Sequence, residues 1–168
     1  FKAASLLSEI TQTSGVEIKV RKSIPMGAGL GGGSSDAATT LHGLNLLWRL
    51  GMQEKELAEV GLEVGADVPF FLRGFNAFVE GIGDKLTPLD LAEVWYVILF
   101  PNVKVPTEQV FQSSDLTRDT SPITMSRFLQ SGILGNDCEP VVRRLYPEVG
   151  VVIDWLGEHG TARMTGTG

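Results

Sequence analysis

The sequence is poor in soft metal ligands: its 168 residues include one cysteine, Cys138, and two histidines, His42 and His159. A single cysteine excludes an internal disulfide framework, and a reducing, cytoplasmic-type compartment is the default for such a chain. Three such side chains, far apart in sequence, make no zinc site. Bases are also the minority, with 14 Lys and Arg against 20 Asp and Glu and a net charge of −6. No nucleic-acid partner is expected, because phosphate backbones demand clustered cations. No apolar run approaches the roughly 20 residues of a membrane span, so no membrane partner is expected either. The start, Phe1-Lys2-Ala3-Ala4-Ser5, lacks an initiator Met and the order of a secretory signal. It reads as the inside of a helix, and the end, Thr165-Gly166-Thr167-Gly168, reads as the inside of a turn. The chain is therefore expected to be a fragment.

What remains is ordinary globular composition, 43% hydrophobic and 20% charged, with length enough for one domain or two small ones. Ala3, Leu6, Leu7 and Ile10 recur at helical spacing, and Gly15 ends that segment. Val16-Glu17-Ile18-Lys19-Val20-Arg21 alternates as a half-buried strand does, and Pro25 closes it. After a glycine-rich stretch, Ala37, Leu41, Leu44 and Trp48 share one face of a helix stopped by Gly51. A further helix is predicted from Gln53 to Val64, with Leu57, Val60 and Val64 inward, followed by the turn Gly65-Ala66-Asp67-Val68-Pro69. Phe70-Phe71-Leu72 and Asn76-Ala77-Phe78-Val79-Glu80 read as two strands around Arg73-Gly74, with a turn from Gly81 to Asp84. Trp95-Tyr96-Val97-Ile98-Leu99-Phe100 reads as a buried strand. Pro106 and Thr107 open a short helix with Thr107 as its cap. Helices follow near residues 125–130, 139–146 and 151–158. A domain boundary is placed near Pro88, dividing the chain into residues 1–87 and 88–168.

The strongest chemical signal is Pro25-Met26-Gly27-Ala28-Gly29-Leu30-Gly31-Gly32-Gly33-Ser34-Ser35-Asp36, set between a predicted strand and a predicted helix. A polyphosphate needs many donors at close range. Glycines let backbone N–H groups approach it without side-chain collision, and a helix N-terminus adds a positive dipole. A flexible linker would not follow a strand directly and end on the helix-capping types Ser34, Ser35 and Asp36. Ser34 and Ser35 can donate to phosphate oxygens or ligate Mg²⁺. Asp36 suits either Mg²⁺ or the helix dipole. Lys22 lies beside the nucleotide or on the polar face of its strand. The loop lacks the Gly-Lys-Ser/Thr ending of a Walker A motif and does not match the dinucleotide fingerprint. Asp67 is either the cap of a turn or an acceptor for a hydroxyl proton. Arg73 is expected to cap a turn or pair with a surface acid. His42, His159 and Cys138 are expected to be structural, and Trp48 and Trp95 to lie in the core.

The glycine loop with Ala37-Ala38 behind it resembles the ATP-binding motif of the GHMP kinases, whose general form is Pro-x-x-x-Gly-Leu-Gly-Ser-Ser. The inserted glycines resemble the branch that phosphorylates 4-diphosphocytidyl-2-C-methyl-D-erythritol in the non-mevalonate isoprenoid pathway. Three more segments resemble that branch in order: Gly65-Ala66-Asp67-Val68-Pro69-Phe70-Phe71, Pro106-Thr107-Glu108-Gln109-Val110-Phe111, and Asn136-Asp137-Cys138-Glu139 with Ala162-Arg163-Met164-Thr165-Gly166-Thr167-Gly168.

The resemblance implies an α+β, two-domain fold: a ribosomal protein S5 domain 2-like N-terminal domain and a ferredoxin-like C-terminal domain, each incomplete here. It implies a small-molecule kinase using ATP and Mg²⁺, with Asp67 as base and substrate contact. Its substrate carries a cytidine diphosphate group, with Phe111 and Thr107 at the cytidine. Core packing is the bland role for Phe111. It also implies a setting in the bacterial cytoplasm or plastid stroma. Thr165-Gly166-Thr167-Gly168 either closes over the phosphate loop as a second glycine turn or connects two elements. The branch's N-terminal Lys and Asn, and its Tyr-His pair, are not in the chain, so activity of the chain alone is not expected. Two rival readings remain: another GHMP kinase, of homoserine or mevalonate type, and a non-catalytic nucleotide-binding protein on the same fold.

Overall fold

The computed structural model describes residues 1–13, 15–131 and 135–168. The chain forms two compact units: Phe1–Lys22 with Gly31–Val94, and Ser23–Leu30 with Trp95–Gly168.

The first unit is built on four helices: α1 (Lys2–Thr11), α2 (Gly32–Leu47), α3 (Glu54–Val64) and α4 (Val68–Arg73). Ala3, Leu7, Ala38, Leu41, Leu44, Leu57, Val60, Val68 and Leu72 form its core. The helical spacing predicted Ala3, Leu7, Leu41, Leu44, Leu57 and Val60 among these, whereas Ala38 takes the core place expected for Ala37, and Leu6, Trp48 and Val64 are only partly buried against it. On α1, however, Ile10 is 51% exposed, and the helix ends earlier than expected, on Gln12 in a left-handed conformation. Helix α3 starts with a capping box: Gln53 N–H donates to Glu56 Oε2 at 2.7 Å. Lys2 Nζ donates to the carbonyls of Glu63 and Val64 at 2.6 and 3.1 Å, placing a cation on the carbonyl end of α3.

Phe70-Phe71-Leu72 is not a strand. These residues belong to α4, whose first turn holds Pro69 and whose C-cap is Gly74 at φ 66°. Val68 and Leu72, four apart, pack on Gly61 of α3, where an added Cβ would stand 2.9 Å from Leu72 Cδ1. Glycine at 61 lets the two helices approach. The aromatic, β-type composition of the segment yields to that contact and to its helical start and stop signals.

The second expected strand is present as β1 (Ala77–Glu80), paired antiparallel with β2 (Lys85–Pro88) from Ala77 opposite Pro88 to Glu80 opposite Lys85. The Gly81–Asp84 turn joins them, and Asp84 Oδ1 accepts the Ile82 N–H at 3.0 Å. Residues Val16–Arg21 and Trp95–Phe100 form no strand among the described residues, against expectation, and Trp95 is fully exposed instead of in the core. An extended segment becomes a strand only through a ladder of neighbouring backbone, and none of the described residues supplies one here.

The second unit carries α5 (Thr107–Gln112), α6 (Met125–Ser131), α7 (Glu139–Leu145) and α8 (Pro147–Gly157). Helix α8 begins four residues earlier than predicted, because Pro147 sits at its first position, where a missing N–H costs nothing. Val105, Val110, Leu116, Val141, Val142, Val149, Ile153 and Met164 form the core. Arg143 of α7 joins Glu139 at 3.0 Å to Asp154 of α8 at 2.8 Å. The hydrogen bond to Asp154, then that to Glu139, holds its guanidinium above the usual range. No helix among the described residues is long and apolar enough to cross a membrane.

Candidate active site

Three glycines shape the loop: Gly27, Gly29 and Gly31 hold φ of 75°, 62° and 65°. These left-handed values favour glycine, and the surroundings enforce it. A Cβ on Gly29 would lie 2.0 Å from the Thr165 carbonyl oxygen, and one on Gly31 would lie 2.6 Å from the Phe71 ring.

Helix α2 starts earlier than the capping residues suggested. Gly31 is its N-cap, so Gly32, Gly33 and Ser34 form the first turn and Ser34, Ser35 and Asp36 are inside the helix. The first intrahelical bond runs from Ser35 N–H to the Gly31 carbonyl at 2.9 Å. The N–H groups of Gly32, Gly33 and Ser34 have no acceptor among the described residues and no side-chain cap. Gly33 is helical and has no atom within 4 Å of an added Cβ, so none of the described residues requires a glycine there. A cradle of free N–H groups whose glycines are not all explained by packing fits an anionic ligand.

Lys22 and Asp36 meet in an ion pair, each side chain about two-fifths exposed. The Lys22 ammonium therefore stands at α2, five residues into the helix, and Asp36 is neutralised rather than free. Among the described residues no cluster of three or more His, Cys, Asp or Glu could hold a metal.

Asp67 is the N-cap residue of α4. Its carbonyl accepts the Phe71 N–H at 3.3 Å, and the Phe71 ring lies against Gly31. One turn of helix thus links the Asp67 backbone to the start of α2. The Asp67 carboxylate is exposed and makes no hydrogen bond or ion pair among the described residues, so it does not cap the turn. The hairpin supports the same turn: Gly83, at φ 99°, lies so close to Ala66 that a Cβ would stand 2.2 Å from its carbonyl oxygen.

In the second unit, Thr165-Gly166 does close on the glycine loop. Thr165 Oγ1 donates to the Gly29 carbonyl at 3.0 Å, and a Cβ on Gly166 would stand 3.0 Å from Gly29 Cα. Sequence reasoning missed the residue behind this contact. Asn136 Nδ2 donates to the carbonyls of Gly166 at 2.8 Å and Met164 at 3.2 Å, while its Oδ1 accepts the Cys138 N–H at 2.9 Å. Its one sequence signal was its place in Asn-Asp-Cys-Glu ahead of α7.

Thr107 is the first residue of α5, and Pro106 takes the cap position expected for Thr107. The Thr107 hydroxyl bonds instead to that of Thr167, at 2.9 Å. Phe111 is 55% exposed, which rules out simple core packing. It borders an open groove of about 700 Å³ with Arg118, Asn136, Cys138, Arg163 and Thr165. Burial, then the Asp137 charge, pushes the Cys138 thiol up, away from the reactive thiolate. Arg73 pairs with Glu54 at 2.6 Å, and His42 Nε2 bonds the Leu72 carbonyl at 3.1 Å, both structural as expected.

Comparison with known proteins finds two domain matches. The model of the GHMP kinases N terminal domain matches residues 1–75, and that of the GHMP kinases C terminal region matches residues 123–168. The chain is 54% identical over 169 residues to a 4-diphosphocytidyl-2-C-methyl-D-erythritol kinase of Nitrosococcus oceani, covering 100% of the chain and 60% of the relative. It is 53% identical over 168 residues to the kinase of that name from Aromatoleum aromaticum, covering 99% and 59%. The crystal structure of a 4-(cytidine 5'-diphospho)-2C-methyl-D-erythritol kinase superposes with a TM-score of 0.75 at 36% identity, covering 99% of this chain and 65% of that one. The chain spans about three-fifths of the length of the curated relatives it matches. Both domain matches and the superposition bear out the expected α+β, two-domain fold, and the chain belongs to the GHMP kinase family.

Proposed function

We propose that the protein transfers the γ-phosphoryl group of ATP to the 2-hydroxyl of 4-diphosphocytidyl-2-C-methyl-D-erythritol. The observation that carries this reading is the free N–H edge of α2 behind three left-handed glycines. The relatives' names supply the substrate. Residues 25–35 hold the nucleotide: the glycine turns present backbone N–H groups, Ser34 and Ser35 add hydroxyl donors, and Lys22, paired with Asp36, stands beside the nucleotide at α2. Asp67 faces solvent with its acceptor oxygens unused, so it can take or orient the proton of the attacking hydroxyl. Phe111 gives an exposed aromatic face for the pyrimidine, and Thr107 lies on the same short helix. Mg²⁺ would offset charge on the transferred phosphoryl group. Ser34 is the residue for it, because Asp36 is occupied by Lys22. We assign residues 1–87 to the nucleotide domain and 88–168 to the second domain, and take the bacterial cytoplasm as the compartment.

The test is turnover by the full-length protein with ATP and three acceptors: the cytidine-linked tetritol, homoserine and mevalonate. Phosphate should appear on the first acceptor alone. Turnover of homoserine or mevalonate in preference would replace the substrate assignment, and nucleotide binding without turnover of any acceptor would favour a binding protein.

A further inference from the structure

Phe111 is an exposed aromatic whose backbone is tied down. From the assignment of Phe111 to the pyrimidine, we infer that Arg118 is the positioning residue that sets this shelf. The Arg118 guanidinium donates through Nη2 to the Phe111 carbonyl at 2.5 Å, and through Nη1 to the carbonyls of Leu116 and Ser113 at 3.0 and 3.3 Å. These carbonyls lie at the open end of α5 and in the turn after it. Helix C-termini leave such acceptors without partners, and a cation there also meets the negative end of the dipole.

One side chain thus closes the segment from Phe111 to Leu116 into a loop around its planar fork. Leu116 is buried in the core, which anchors the far side. Arg144 of α7 pairs with Asp115 within this segment at 2.8 Å, and Tyr146 bonds Gln109 two residues before it. With the Phe111 side chain exposed, its backbone places Cβ and limits the rotamers open to the ring. Fixing that backbone before the ligand arrives lowers the ordering cost of stacking. Lysine cannot replace Arg118 in this role, because a single ammonium lacks the fork that spans three carbonyls.

The test is steady-state kinetics of the full-length protein carrying Phe111→Ala, Arg118→Met, Arg118→Lys, and each Arg118 change combined with Phe111→Ala. Methionine keeps the apolar stem and removes the donors. Both Arg118 changes should raise KM for the cytidine-linked substrate about two- to tenfold, the range for lost hydrogen bonds, with kcat and KM for ATP unmoved. In the Phe111→Ala background they should add nothing, because no shelf remains to be set. If they raise KM equally in both backgrounds, Arg118 does not act through Phe111 and the inference fails while the pyrimidine assignment stands. If Phe111→Ala alone leaves KM for that substrate unchanged, the assignment itself fails and the inference with it. Should Arg118→Met lose its melting transition, the lysine variant carries the same two outcomes.

Discussion

Gly31 holds φ 65° with the Phe71 ring against it, whereas Gly33 is helical and faces open space. The two positions respond to alanine in opposite ways. Gly31→Ala meets both an unfavourable backbone conformation and a ring. It should lower stability by at least about 1 kcal/mol in a denaturant titration. Gly33→Ala should raise stability by about 0.4–1 kcal/mol, since its conformation suits alanine and the unfolded chain loses freedom. The same variant should weaken ATP in a nucleotide titration, because the new methyl group stands at the N–H edge offered to phosphate. Unchanged ATP affinity would mean that the first turn of α2 does not touch the nucleotide. The glycines themselves were legible from sequence, but which of them packing requires was not. That depends on Phe71 and Thr165, residues distant in the chain.

At the scale of elements, helices α1, α2 and α3 were legible because each buries a stripe at period 3.6 that needs no knowledge of its neighbour. Helix α4 was read as a strand from its phenylalanines, although Pro69 near its start and Gly74 after its end mark a helix. The alternation of residues 16–21 and the apolar run 95–100 describe segments suited to a sheet, but suitability alone forms no ladder. A tie between Thr165–Gly168 and the glycine loop was one of two readings of that glycine turn, and the side-chain hydrogen bond that makes it comes from the Thr165 hydroxyl. Thr165→Val keeps the shape and removes the donor to the Gly29 carbonyl. KM for ATP should rise about two- to tenfold in the full-length protein, with KM for the acceptor unmoved. No change in KM for ATP would show that the turn touches the loop without setting it.

At the scale of the whole molecule, local motifs drew the glycine loop and Asp67 out of the sequence as candidates. Asn136 showed only as part of a motif and Arg118 not at all, because the backbone carbonyls they bond carry no sequence signature. The Asp67 carboxylate is the acceptor left unused at the start of α4, one helical turn from the residue packed on Gly31. If it handles the hydroxyl proton, it acts in the transition state and not in ground-state binding. Asp67→Asn preserves shape and removes charge. The most direct measurement is therefore steady-state kinetics of this variant in the full-length protein, with a thermal melt as control. The account predicts an unchanged melt, KM values that move little for either substrate, and kcat lowered by about 10²–10⁴. Turnover near the wild-type rate by the folded variant would contradict it.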